Sequence, residues 1–114
     1  MIQEIEELTL EAIDALTASV KRTPGLITEE YWTPKGVCAV GSLGCDIKGR
    51  YRNVRRQRNC RRIGIYEYLN SVLVSVSSEN DDFEGTPLQR KRHMLKWLRA
   101  QRAFKKAVHR KGKH

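Results

Sequence analysis

Two sets of basic side chains carry the chemistry legible in this chain. The first is Arg92, Lys96, Arg99, Arg102, Lys106 and Arg110, which recur at intervals of three or four residues and so share one face of a helix. The second is Arg50, Arg52, Arg55, Arg56, Arg58, Arg61 and Arg62, crowded with Lys48 into residues 46–62. A guanidinium is a planar fork of donors that pairs bidentately with phosphate and stacks on bases. No Asp or Glu follows Glu84, so the first set has no acidic neighbour on its own helix. Like charges at that spacing destabilise a helix by about 0.2–0.5 kcal/mol per pair. A solvated face normally mixes both signs, whereas a stripe of one sign points to a bound polyanion. Both sets are therefore candidate nucleic-acid contacts. The alternatives are an ordinary solvated face for the first and a solubilising loop for the second.

Other chemistry finds less support. Cys38, Cys45, Cys60 and His93 could supply four zinc ligands in number, but CxxC-like pairs are missing, so buried thiols and no metal are expected. His93, His109 and His114 have no carboxylate nearby in sequence to orient them. Asp81, Asp82 and Glu84 read as an acidic lead-in to a helix rather than a cation site. Gly41 and Gly44 lack the endings and spacings of phosphate-binding glycine loops. With no acid, base and nucleophile constellation, the chain reads as a non-enzyme without a cofactor.

The length of 114 residues suits one domain. A net charge of +9 makes nucleic acid, anionic membrane or acidic protein the natural partner classes. The charge is unevenly placed: residues 1–20 carry five acids and no base, residues 86–114 eleven bases and no acid. The N-terminal stretch is acidic with spaced apolar residues, unlike a secretory signal. The nearly apolar run at residues 37–45 is too short to cross a bilayer. A cytoplasmic protein with reduced thiols is the expectation.

The elements that must position the cations follow from periodicity. Residues 86–110 predict a long helix opened by a Thr86-Pro87-Leu88-Gln89 capping box. Its apolar arc is Met94, Trp97, Leu98, Phe104 and Val108, which commits Trp97 and Phe104 to a core rather than to lipid. Residues 2–21 predict a second amphipathic helix, with Ile2, Ile5, Ala12, Ile13, Leu16 and Val20 inward and Glu4, Glu7, Glu11 and Asp14 outward; Pro24-Gly25 follows it. Residues 26–36 read as irregular with one helical turn after Thr28, and Trp32 as a core anchor. Aromatics near the basic segments would make the better base-stacking platform. Residues 37–45 read as a short buried helix, residues 63–74 as a helix running into an extended end, and residues 79–85 as an acidic turn-rich loop. The fold expected is mainly α, a single-domain bundle of about four helices over residues 1–110. It carries an arginine-rich loop, a long basic C-terminal helix and a disordered tail at 111–114. If both terminal helices face one core, their acidic and basic stripes point away from each other, which opens pairing between two copies as a homodimer.

The order of a helix, Trp32 and Gly36, Cys38-Ala39-Val40-Gly41-Ser42-Leu43, then Asn80-Asp81 before a helix opening at Thr86 resembles a small uncharacterised domain family of actinobacteria and their phages. That resemblance implies a mostly helical fold and a bacterial or phage setting, and no activity. The functional expectation is binding of RNA or DNA through phosphates with little sequence preference. The alternative is an interaction module that docks its basic face on an acidic host protein or assembles with itself.

Overall fold

A computed structural model of the protein describes residues 2–28, 30, 32–33, 36–44 and 72–111. The fold is mainly helical. Its elements are α1 (Leu10–Arg22), β1 (Trp32–Thr33), β2 (Gly36–Val37), a 3-10 turn (Gly41–Gly44), α2 (Val72–Asp82) and α3 (Pro87–Lys111). The arginine-rich loop, the helix start expected at residue 63 and residues 112–114 of the expected tail lie outside the described residues, as do Cys45 and Cys60; Lys111, placed in that tail by the sequence, is the last residue of α3.

Helix α1 starts eight residues later than the apolar pattern alone predicts. Thr9 has an extended backbone, and its Oγ1 accepts from Ala12 N at 3.1 Å, a threonine N-cap. The residues before it are diverted to α3. Gln101 Oε1 accepts from Ile5 N at 2.9 Å and Gln101 Nε2 donates to Gln3 O at 2.6 Å. Lys105 Nζ donates to the carbonyls of Ile5 and Glu6, both at 2.7 Å. Backbone groups engaged in this way are lost to an i to i−4 ladder. Ile2 and Ile5 still pack on the core as partly buried side chains, and Leu8 is fully buried.

The core joins Ala12, Ile13, Leu16 and Val20 of α1 to Met94, Trp97 and Leu98 of α3, with Val76 of α2 and the stretch Cys38 to Val40 filling in. Small residues let that stretch approach closely: the hydroxyls of Ser19 and Ser42 meet at 2.9 Å, fully buried. In place of a short α-helix at 37–45, Gly36–Val37 pairs antiparallel with Trp32–Thr33 and a 3-10 turn follows. No helical turn forms after Thr28 among the described residues. The Trp32 side chain lies outside them.

Helix α2 also departs from expectation. Residues 75–82 are helical rather than extended and turn-rich, because Val76 and Asn80, one turn apart, are both fully buried. The Asn80 amide is a core joint: Oδ1 accepts from Ala39 N at 3.0 Å, and Nδ2 donates to Ile27 O and Asp81 Oδ1, each at 2.9 Å. Val74, the middle of an apparently strand-like Val72/Val74/Val76 alternation, is 47% exposed.

Helix α3 opens as its sequence predicts. Thr86 N donates to Gln89 Oε1 at 2.9 Å, and Gln89 N donates to Thr86 Oγ1 at 3.2 Å, a reciprocal capping box. Its first turn is held against the chain after α1, where Leu26 N donates to Pro87 O at 3.0 Å. Gly25 permits this approach, since a Cβ there would lie 2.8 Å from Pro87 Cβ. One turn further, the buried Arg90 guanidinium donates to four backbone carbonyls: Asn80 at 3.0 Å, Leu26 at 3.1 Å, Phe83 at 2.9 Å and Gly85 at 3.4 Å.

Two outcomes follow from this packing. Arg90→Ala strands several buried acceptors and should lower stability by about 3 kcal/mol or more in urea titrations, whereas Arg92→Ala stays within about 0.5 kcal/mol. Burial pushes the Cys38 thiol from 9.0 up to about 11. The folded state therefore keeps this proton where the unfolded chain loses it, and stability falls as pH rises from about 9 towards 11. At pH 8 a thiol reagent should leave Cys38 unmodified until urea is added, as peptide mass mapping will report.

Candidate nucleic-acid interface

The cations of α3 divide by helix face. Placed at about 100° per residue, Arg90, Gln101 and Lys105 fall inside the apolar arc that runs from Phe104 to Leu98, and these polar residues face the fold. Lys91, at the edge of that arc, donates to Lys21 O at 3.2 Å and Thr23 O at 2.6 Å, meeting the carbonyl end of α1. None of these four stood among the predicted site residues. Their signal was a basic or amide side chain within an otherwise apolar stripe.

Of the predicted stripe, Arg92, Lys96, Arg99 and Lys106 are exposed. Among the described residues no hydrogen bond or ion pair engages their side chains. Arg92 and Lys106 are fourteen positions apart, about 21 Å along the axis. Arg102 differs, because it stands at the edge nearest α1, and its Nε lies 2.9 Å from Asp14 Oδ1. Lys105 Nζ lies 3.8 Å from Glu4 Oε1. The acidic and basic stripes therefore touch within one molecule, contrary to the expectation that they point apart, because α1 packs directly along α3. With side chains 43% and 55% exposed, the Arg102–Asp14 pair contributes at most about 1 kcal/mol. The Arg110 side chain and Arg50, Arg52, Arg55, Arg56, Arg58, Arg61 and Arg62 lie outside the described residues.

The exposed cations border two hollows. Between α1 and α3, Lys21, Arg99 and Arg102 line a space of about 430 Å³ with Asp14, Thr17 and Leu95. Towards α2, Arg92 and Lys96 line a shallow space of about 420 Å³ with Phe83, Glu84, Gln89 and His93. His93 does have an orienting carboxylate, supplied by α2 rather than by near sequence: Nε2 lies 2.8 Å from Glu79 Oε1. Its ring stacks on Phe83, with centroids 4.4 Å apart and planes 12° from parallel.

Cys38 is a buried free thiol, and among the described residues no three His, Cys, Asp or Glu side chains are grouped to hold a metal ion. No helix of the described residues is long and apolar enough to cross a membrane. No protein-family model matches the chain, and no curated protein or solved structure shows significant similarity to it.

The Asp14 carboxylate is the acid paired with the stripe's Arg102 among the described residues. Asp14→Asn should change stability by less than about 1 kcal/mol and release Arg102. It also removes one negative charge beside the exposed cations, read as later elution from a heparin column at low salt.

Proposed function

We propose that the protein binds RNA or DNA through the outer face of α3, gripping phosphates with little sequence preference. The observation that carries this reading is the row Arg92, Lys96, Arg99 and Lys106, exposed and without intramolecular ion pairs among the described residues. Maintaining like charges on one face costs helix stability, and a line of phosphates offsets that cost by releasing condensed counterions. Arg102 joins by exchanging Asp14 for a phosphate, and Arg110 extends the row.

In the fuller form of the proposal the fold is a bundle of about four helices. The long basic C-terminal helix is its rigid contact, and Arg50, Arg52, Arg55, Arg56, Arg58, Arg61 and Arg62 form an adaptable second one. The setting is the cytoplasm of a bacterial host, in line with the resemblance to actinobacterial and phage domains. No catalytic step and no cofactor belong to this role.

The dependence of affinity on salt tests it. Four neutralised phosphates give a slope of log K against log salt of about −3.6 on duplex DNA, and further arginines make it steeper. Lys96→Ala and Arg99→Ala should each reduce the slope by about 1 and weaken all sequences alike. A slope near zero overturns the reading, and retention of a single acidic protein by the same face would then assign that face to a protein partner.

A further inference from the structure

The hollow beside α2 holds something a phosphate grip does not require. Phe83 and His93 form a stacked aromatic pair in the lining of the same space as Arg92 and Lys96. Both rings are half-buried and both are held in place. Arg90 fixes the Phe83 carbonyl at 2.9 Å, and Glu79 fixes the His93 ring at 2.8 Å. A platform anchored before binding loses little entropy on binding.

We infer that this hollow is a subsite for one unpaired nucleotide, so that the preferred ligand is a single strand. The inference rests on the proposed phosphate-binding role and deepens it. Cations that track a backbone beside an aromatic platform are the combination that holds single strands, because every base has a face to stack. In a duplex those faces are already covered by neighbouring bases. The acidic member of the lining, Glu84, opposes a phosphate but suits the exocyclic amine of a base, as carboxylates do with cytosine. The phosphate therefore lies by Arg92 and Lys96, with the base on the Phe83 side.

The test uses the full chain with a short oligodeoxycytidylate, its RNA equivalent and a duplex, measured by fluorescence anisotropy. A single strand carrying 2-aminopurine reports stacking through quenching. Single strands are expected to bind more tightly than the duplex and to quench. Phe83→Ala should weaken single-strand binding about fivefold to a hundredfold, the size of one base–aromatic stack, and abolish the quenching, while duplex binding changes by less than about twofold. Phe83→Leu, which keeps apolar bulk at the site, should behave like Phe83→Ala, and its melting curve establishes that the variant is folded. Equal affinity for both forms with no effect of Phe83→Leu overturns the subsite while salt-dependent duplex binding leaves the wider role standing. Binding of neither form overturns both.

Discussion

A buried guanidinium that pairs with no carboxylate among the described residues ties three segments of this molecule together. Arg90 satisfies carbonyls from the end of α2, from the loop that follows it and from the chain after α1. The carbonyl end of a helix bears partial negative charge, so backbone dipoles stabilise the cation here. One side chain thereby ties α3 to the end of α2 and to the chain after α1. The exposed row begins two residues later, at Arg92, and its orientation is set by this contact.

The formal charge of +9 overstates what a ligand can meet. Arg90, Lys91 and Lys105 are bonded to backbone carbonyls of the protein itself, and Arg102 faces Asp14. Among the described residues Arg92, Lys96, Arg99 and Lys106 form an exposed band bordered by two hollows of different character. One, against α1, pairs cations with aliphatic and hydroxyl groups. The other, against α2, adds two aromatic rings. A rigid helix that presents a cationic band between unlike hollows has a built-in polarity across its width.

The sequence was most readable where a signal is local. The Thr86 to Gln89 capping box formed as its spacing required, and the inward turns of α1 and the trio Met94, Trp97 and Leu98 follow their period into the core. It was least readable where a distant partner decides. Nothing near Gln3 or Ile5 announces that Gln101 will take their backbone groups, so a helix was expected across residues that are not helical. Asn80 looked like a turn residue because its short amide competes locally with the backbone. Within the core that amide bonds Ala39 and Ile27 instead, and α2 continues through it. His93 gained its carboxylate across helices, a pairing that spacing along the chain does not encode.

The docking of the N-terminal segment on Gln101 and Lys105 joins residues separated by 96 to 100 positions. Contacts of such long range slow folding relative to most helical proteins, since the chain must close a large loop before gaining them. During synthesis on the ribosome, α1 emerges long before the helix that covers its apolar side. The native arrangement of the N-terminal segment therefore waits on the turns of α3 that carry Gln101 and Lys105.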